Sequence, residues 1–386
     1  MISVDEALGH IFKLALPLET ETVPLRVASG RVLAKALHAN RSQPPFRSSV
    51  MDGYAVAGEA ESYSVVGESA AGRGFDGAIG PGEAVRIFTG APVPESAARV
   101  IIQEDVTREG DTIRVAESAD PEPYIREVGM DFAVGFRMGA PRRMSPADIA
   151  LAASMNAPKV VVARRPEVAL IMTGDELVMP GESPRPDQII ASNAFGLSAM
   201  VESEGGMARI LPICADTAPS LEVALGLAAD ADMIVTIGGA SVGDHDLVAS
   251  VAHRMGLDRA FHKVAIRPGK PMMAGRINGT PMVGLPGNPV SSMVCGHVFL
   301  RPMLRAMQGL EARPLERRVA RLSSPVGANG PREHYMRARL DDDLIAPAER
   351  QDSSLLTMLS GANALIVRPP MALALDAGNS VSFVEF

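Results

Sequence analysis

The feature that most constrains the fold is a regular alternation of strand-like and helix-like segments between residues 166 and about 308. Such alternation is typical of a parallel sheet with crossover helices. Two of the strand-like segments are nearly continuous apolar runs, as expected when helices cover both faces of a sheet. We therefore predict a three-layer α/β domain with a parallel-rich sheet. Its segments, in chain order, are 168–172, 194–204, 207–213, 220–229 and 233–237.

Two stretches nearer the N-terminus have helical patterns. Residues 3–37 carry apolar side chains at helical spacing, beginning at Ala7. Within residues 130–159, Ser145 and Pro146 resemble the N-cap and first residue of a helix. Short, turn-punctuated strands separate the two stretches, so we interpret the intervening part as an inserted β segment.

The length of 386 residues predicts several domains, because single cores stop growing near roughly 250 residues. Apolar residues make up 47% of the chain, which is enough for sizeable cores. The predicted fold is multidomain, α/β and β. Its parts are a helical N-terminal domain (1–43 plus 130–163), an inserted β domain (44–129), the α/β domain (164–310) and a C-terminal β domain (311–386).

Charge and composition exclude several classes of function. The net charge of −8 argues against a general nucleic-acid binder, which needs a clustered basic surface. The N-terminus lacks the pattern of a signal peptide, and no apolar run approaches the length of a membrane span. Cys214 and Cys295 have no metal-type spacing with histidines, so we expect buried thiols in a cytoplasmic protein.

Polar and glycine residues follow two of the predicted strands. Asp175 and Glu176 come after the strand at 168–172, and the loop 238–246 comes after the strand at 233–237. Ligands of open parallel sheets bind at the carboxyl ends of strands, and Asp244 and Asp246 suit a hard cation such as magnesium. Taken alone, this loop could equally be structural punctuation. Its other candidate binding residues are Gly238, Gly239, Ser241 and Gly243.

Two further motifs could bind an anion. In residues 285–292, Asn288 resembles an N-cap that opens a helix, whose start offers free N–H groups. An ordinary capped helix is the alternative. Residues 262–271 carry three cations beside a Pro-Gly turn, which could grip phosphate or merely form a solvated basic edge. The residues of these two motifs that we consider are Lys263, Arg267, Lys270, Pro286, Gly287, Asn288 and Ser291.

These motifs occur together and in order, and their combination resembles the molybdopterin molybdenumtransferase family of the MoeA and gephyrin E-domain type. The resemblance extends over essentially the full chain. It implies a helical part, an inserted β part, a molybdopterin-binding α/β part and a C-terminal β-barrel-like part. The matching segments are 45–56, 89–92, 173–177, 238–246, 267–271 and 285–292.

The resemblance also implies a reaction and an assembly. Family members insert molybdate into adenylylated molybdopterin with magnesium-dependent release of AMP, and they form homodimers. The active cleft combines the α/β domain of one subunit with β parts of its partner. Contacts with the molybdopterin adenylyltransferase and with recipient molybdoenzymes are also implied, whereas nucleic acid and membrane are not expected as partners.

The resemblance assigns functional residues in each part of the chain. Arg267 stands where many relatives carry lysine, which keeps the charge but changes the donor geometry. Asp246, helped by Asp244 or Glu176, is the expected magnesium site. The residues that match functional positions are Asp52, Thr89, Glu176, Asp216, Asp246, Lys263, Arg337 and Ser353.

Three other functions share the α/β domain. A molybdopterin adenylyltransferase would leave the first 160 or so residues and the C-terminal domain without a role. A non-catalytic cofactor-binding scaffold would not need the carboxylates and cations. A nucleotide amidase would not need residues 51–56.

Overall fold

The computed structural model describes residues 1–239 and 247–386. These residues form two compact units. The first unit consists of Met1–Glu21 and Ala163–Phe386, and the second of Thr22–Val162. Each unit has its own hydrophobic cores. The finer division into four domains stays a prediction.

Strands outnumber helices among the described residues. The helices are α1 (Val4–Leu14), α2 (Pro146–Ser154), α3 (Asn193–Ser203), α4 (Ala218–Leu227), α5 (Leu247–Arg254), α6 (Pro289–Cys295), α7 (Arg301–Met307) and α8 (Leu356–Ser360), with 3-10 turns at Leu25–Val27 and Gln103–Asp105 and a π turn at Gly296–Leu300. The strands are β1 (Thr20–Pro24), β2 (Val32–Leu33), β3 (Leu37–His38), β4 (Ser48–Ser49), β5 (Gly53–Val56), β6 (Ser62–Ser69), β7 (Glu83–Ile87), β8 (Arg99–Ile102), β9 (Val106–Glu109), β10 (Thr112–Val115), β11 (Ile125–Arg126), β12 (Arg137–Met138), β13 (Arg142–Arg143), β14 (Lys159–Ala163), β15 (Glu167–Met172), β16 (Leu177–Val178), β17 (Ile189–Ile190), β18 (Met207–Ile210), β19 (Met233–Ile237), β20 (Leu257–His262), β21 (Ile266–Arg267), β22 (Met273–Ile277), β23 (Thr280–Leu285), β24 (Arg318–Leu322), β25 (Glu333–Asp341), β26 (Leu344–Pro347), β27 (Ala364–Arg368) and β28 (Ser380–Glu385).

A six-stranded mixed sheet is the centre of the first unit. Its strand order is β18-β15-β19-β23-β22-β20. The first four strands are parallel, and the last two are joined by antiparallel pairing. The predicted α/β domain with a parallel-rich sheet is therefore confirmed.

Both faces of this sheet are buried. Along β15, Val168, Leu170 and Met172 contribute to one core, while Ala169 and Ile171 contribute to the core on the other face. Alternate side chains of a strand point to opposite faces. A strand covered on both faces therefore needs the continuous apolar run that the sequence shows.

The C-terminal part of the first unit is a closed β-barrel. Its five strands pair in the order β25-β26-β24-β28-β27, and pairing of β25 with β27 closes the circle. Strand β21, which belongs to the loop between β20 and β22, adds to β25 in parallel. The predicted C-terminal barrel is confirmed.

The second unit is built from short strands. A six-stranded sheet of order β8-β5-β7-β6-β10-β9 corresponds to the predicted inserted β segment. A smaller sheet of order β1-β14-β2-β13 shares a hydrophobic core with helix α2. Helix α2 has the predicted N-cap, Ser145, and the predicted first residue, Pro146. The Ser145 side chain accepts from Asp148 N–H at 3.2 Å, and the Asp148 carboxylate accepts in return, which forms a capping box.

Two predicted elements are shorter in the structure. The helical pattern of residues 3–37 gives a helix only as far as Leu14. Pro17 and Pro24 follow, and proline disrupts a helix interior because it lacks the N–H donor and clashes with the preceding turn. The chain continues as β1 and short strands. The predicted strand 207–213 ends at Ile210, shortly before Pro212.

Among the described residues, no helix is long and apolar enough to cross a membrane.

Candidate active site

An open cleft of about 1190 Å³ lies in the first unit, at the carboxyl ends of three parallel strands. Its walls come from the residues that follow β15, β19 and β23. Because parallel strands end at the same edge of a sheet, motifs far apart in sequence meet there. Of the predicted site residues, those that line the cleft are Glu176, Asp216, Gly238, Gly239, Pro286, Gly287, Asn288 and Ser291.

Carboxylates are concentrated on one side of the cleft. The backbone N–H of Asp216 donates to Oδ1 of Asp175 at 3.1 Å. Burial raises the pKa of Asp216, and the negative charges of Asp175 and Glu176 raise it further. Neighbouring like charges disfavour the ionised form of a carboxyl group, so the Asp216 carboxyl is easier to protonate than an isolated one.

Two glycines form the floor of the cleft after β19. Gly238 and Gly239 have φ angles of +89° and +64°. A Cβ on Gly238 would lie 2.8 Å from the Thr173 carbonyl oxygen, and one on Gly239 would lie 2.4 Å from Val248 Cγ2. Only glycine fits both the conformation and the space.

The start of helix α6 forms another wall. Asn288 occupies the predicted N-cap position, but its side chain does not cap the helix. Its Nδ2 donates instead to Ser353 Oγ at 2.8 Å. The backbone N–H of Val290 donates to the carbonyl of Ser353 at 3.0 Å. The predicted residues Asn288 and Ser353 therefore lie together, although 65 positions separate them in sequence.

Arg337 lies on strand β25 near the same segment. It is 1% exposed, and its Nη1 and Nη2 donate to the carbonyls of Asp352 and Arg350 at 3.1 and 3.0 Å. The side chain of Gln351 binds the backbone of Arg337, because the Arg337 N–H donates to Gln351 Oε1 at 3.0 Å. Arg337 thus holds the 350–353 segment in place beside the helix start.

The three predicted cations lie in the loop between β20 and β22. Lys263 has a φ of +71°, and its N–H donates to Met272 O at 2.8 Å. Val264 N–H donates to Lys270 O at 3.2 Å, so the loop folds back on itself. Arg267 is exposed on β21, whereas Pro271 lines the cleft. None of the three cations is among the described residues that line the cleft.

The predicted pair in the second unit is in direct contact. The backbone N–H and the hydroxyl of Thr89 both donate to Oδ1 of Asp52, at 2.7 and 2.8 Å. Pairing of Gly53 with Ile87 between β5 and β7 brings the two residues together. The backbone donor, then the hydroxyl, lowers the pKa of Asp52 from its ordinary value. Asp52 is therefore an acceptor held in its charged form.

Four predicted residues, Ser241, Gly243, Asp244 and Asp246, lie outside the described residues. Within the described ranges 1–239 and 247–386, no group of three or more His, Cys, Asp or Glu side chains is arranged to hold a metal ion. The carboxylates of Glu176 and Asp216 have the oxygen chemistry that magnesium prefers. Magnesium binding by Glu176 stays a prediction, and the other two predicted ligands, Asp244 and Asp246, lie outside the described residues.

Sequence reasoning missed Asn193, which lines the cleft at the start of α3. Its Nδ2 donates to the Gly287 carbonyl at 2.7 Å and so connects α3 to the loop before α6. Ile189 and Ile190 of β17 also line the cleft, with exposures of 58% and 40%. The available sequence signal was the Ser192-Asn193 pair, which resembles a helix start, shortly after Ile189 and Ile190.

Three parts of the chain match models of known protein families, and the central match indicates the class of protein. Residues 169–306, which contain the cleft and its sheet, match a probable molybdopterin binding domain. Residues 2–156 match the MoeA N-terminal region (domains I and II), and residues 319–386 match the MoeA C-terminal region (domain IV). The central domain alone thus defines a molybdopterin-binding class of fold.

The flanking regions narrow the class to one family. A molybdopterin molybdenumtransferase of Nostoc sp. is 32% identical and covers 100% of this chain and 94% of its own. Molybdopterin molybdenumtransferase 2 of Mycobacterium tuberculosis is 34% identical, with 99% and 98% coverage. A MoeA structure from Pyrococcus horikoshii superposes with a TM-score of 0.84 at 31% identity, covering 100% of this chain and 99% of that one. The chain therefore belongs to the molybdopterin molybdenumtransferase (MoeA) family, as the sequence motifs predict.

Proposed function

We propose that the protein is a molybdopterin molybdenumtransferase, which inserts molybdate into adenylylated molybdopterin and releases AMP. The observation that carries the proposal is the strand-end cleft, set in a chain that matches MoeA regions at both ends. A cleft of about 1190 Å³ is large enough for a nucleotide-linked pterin. The full-length relatives carry the name of this activity.

Carboxylates on one wall are proposed to hold magnesium. Glu176, with Asp244 and Asp246 of the loop outside the described residues, supplies the oxygen ligands. Bound magnesium would lower the charge of the pyrophosphate and orient the bond that is cleaved. Asp216, whose pKa burial raises, lies beside this set and is proposed to accept hydrogen bonds from the substrate or its attacking water.

Cations and helix-start donors are proposed to hold the anionic groups. Lys263 and Lys270 come from two sides of one loop, and Arg267 lies between them in the chain, where β21 pairs with β25 of the barrel. These residues grip phosphate or the incoming molybdate by charge-assisted hydrogen bonds. The start of α6, where Asn288 is fixed by Ser353 and Ser291 lines the cleft, is proposed to contact the pterin phosphate.

Asp52 and Thr89 are proposed to complete the active site in a homodimer. In that arrangement, the cleft of one subunit is joined by β parts of its partner. The support is the resemblance of both segments to family motifs and the fixed, charged state of Asp52. A monomeric protein that kept full activity would contradict this assembly.

The cytoplasm is the proposed location, with the molybdopterin adenylyltransferase and recipient molybdoenzymes as contacts. The free, buried thiols of Cys214 and Cys295 support a reducing compartment.

The decisive experiment measures AMP release from purified adenylylated molybdopterin, with and without molybdate and magnesium. Reconstitution of an apo molybdoenzyme is scored in parallel. We expect molybdate-dependent AMP release together with reconstitution. Asp216→Asn should lower the rate, whereas the matched variant Asp187→Asn, at an exposed carboxylate outside the cleft lining, should not.

Two other results would assign a different function. Formation of adenylylated molybdopterin from ATP would indicate an adenylyltransferase. Tight ligand binding without turnover would indicate a scaffold.

A further inference from the structure

The C-terminal barrel encloses an arginine that has no carboxylate partner. Arg368 ends strand β27 and is only 2% exposed. Ala364 and Ile366, at alternate positions of the same strand, belong to the barrel core. Since side chains two apart share a face, Arg368 points toward the barrel interior.

The guanidinium of Arg368 is only partly hydrogen-bonded. Its Nη2 donates to the carbonyls of Leu373 and Gly327, the latter at 3.4 Å. Its Nε and Nη1 are buried and have no hydrogen-bond partner. No described carboxylate forms a salt bridge with it, and burial lowers the pKa of Arg368. A buried, unpaired guanidinium is costly unless an anion compensates it.

A cavity adjoins this arginine. The paired register of β27 with β28 ends at Ile366↔Phe383. Beyond it lies a cavity of about 410 Å³, lined by residues of 367–369, 372–375 and 380–382, with Arg368 among them. This space can hold a small ion with its hydration water.

The wall of the cavity is fixed by the half-buried amide of Asn329. Asn329 Nδ2 lies within hydrogen-bonding distance of the carbonyls of Arg332, Arg368 and Pro369, at 2.9, 3.0 and 2.7 Å. The segment that follows β27 is therefore held close to the strand. A preorganised wall reduces the entropy lost when a ligand binds.

The surroundings of Arg368 are electropositive. His334 lies opposite Arg368 in the β25–β27 register and is 7% exposed. Burial lowers the pKa of His334 to about 4, and Arg267, Arg337, Arg332 and Arg368 lower it further. The imidazole is therefore neutral at physiological pH, and the positive charge of this region comes from the arginines alone.

We propose that the cavity beside Arg368 binds a small oxyanion, with Nε–H and Nη1–H as the donors. Arginine N–H groups form strong, charge-assisted hydrogen bonds with phosphate-like oxygens. The proposal goes beyond the proposed transferase activity and does not rest on it, because no residue that lines this cavity also lines the strand-end cleft.

The first test is thermal unfolding of the full-length protein in inorganic phosphate and in sodium chloride of equal ionic strength. Phosphate should raise the Tm by about 5 °C when its concentration is a hundredfold above Kd. Arg368→Leu should abolish this rise. Arg339→Leu removes a charge from an exposed position of the same barrel and should keep it.

Several outcomes would overturn the proposal. The proposal is wrong if the Tm of the wild-type protein is the same in phosphate as in sodium chloride of equal ionic strength. An Arg368→Leu variant that gains as much as wild type would place the anion elsewhere, such as in the cleft. Glycerol phosphate serves as a second ligand: stabilisation by inorganic phosphate alone assigns the site to a free ion, and stabilisation by both admits phosphomonoesters.

Hydrogen exchange provides a test that does not depend on a folded variant. In wild-type protein, phosphate should slow amide exchange in 364–375 and 380–385, which surround the cavity. Unchanged exchange in both segments at saturating phosphate would overturn the proposal, whatever the fate of Arg368→Leu.

Discussion

Glu204→Gln should destabilise the first unit strongly. Glu204 follows the last turn of α3, and its side chain is 4% exposed. Its Oε1 accepts from Arg301 Nε at 2.7 Å, and its Oε2 accepts from Arg305 Nε at 2.9 Å. A third bond joins Arg305 Nη2 to Oε1 at 3.1 Å. One buried carboxylate thus compensates two cations of α7.

The expected loss follows from the exposure of the three partners. Breaking a buried ion pair by removing one partner costs roughly 3–5 kcal/mol. The side chains of Arg301 and Arg305 are 23% and 40% exposed, so water would compensate part of their charge. We therefore expect the lower end, about 3 kcal/mol of the free energy of unfolding, and a fall in Tm of roughly 6 °C.

Urea titrations of wild type, Glu204→Gln and Glu202→Gln at pH 7 measure this loss. Glu202 is exposed on the same helix, so its variant controls for the change of net charge. A Glu204→Gln loss within 1 kcal/mol of the control would refute the ion-pair argument.

The pH dependence adds an independent check. Burial by itself would raise the pKa of Glu204, but the hydrogen bonds from Arg305 and Arg301 outweigh it and hold the pKa below 4.5. A depressed carboxyl pKa stabilises the folded state above the unfolded pKa, and this stabilisation is lost as the pH falls through the folded pKa. The difference between wild type and Glu204→Gln should therefore be full at pH 7 and shrink below about pH 4. A difference that stays constant down to pH 3 would contradict the assigned cause.

Three further predictions concern other parts of the chain. Thr89→Val removes the hydroxyl that donates to Asp52 and should lower kcat/KM for AMP release roughly tenfold, whereas Thr89→Ser should retain activity. Gly53→Ala should unfold the second unit at markedly lower temperature, because its Cβ would lie 2.0 Å from the Ile101 carbonyl oxygen; calorimetry with an unchanged Tm would contradict this. Burial raises the pKa of the Cys295 thiol to about 12, so it should stay protonated and unreactive toward a thiol reagent at pH 8 until urea unfolds the protein; labelling of Cys295 in native protein would show that the thiol is accessible.

The central sheet could be predicted from the sequence because its strands are buried on both faces. Such strands need mostly apolar residues on both faces; the run at 168–172 is apolar throughout, and the run at 233–237 is apolar except at the buried Thr236. Their carboxyl ends then define where ligands bind. The predicted residues Glu176 and Gly238 line the same cleft for this reason.

The early strands and the barrel interior could not be predicted in detail. Beyond Leu14, helical spacing of apolar residues competes with prolines and with pairing partners that are distant in sequence. Arg368 gives no sequence signal of burial, because arginine is normally exposed. Its environment depends on the register of β25, β27 and β28, which only the folded barrel fixes.

The barrel contributes directly to the cleft of the α/β domain. The N–H of Val290, at the start of α6, has no acceptor within its own helix. It donates instead to the carbonyl of Ser353, which lies in the segment between β26 and α8. Ser353 Oγ also accepts from Asn288, and Arg337 of β25 holds the carbonyl of the preceding Asp352. These contacts connect a barrel strand to the helix start through one short segment. A substitution at Arg337 should therefore alter the position of Asn288 in the cleft as well as removing a charge, so its effect on substrate binding should exceed that of changing an exposed barrel arginine.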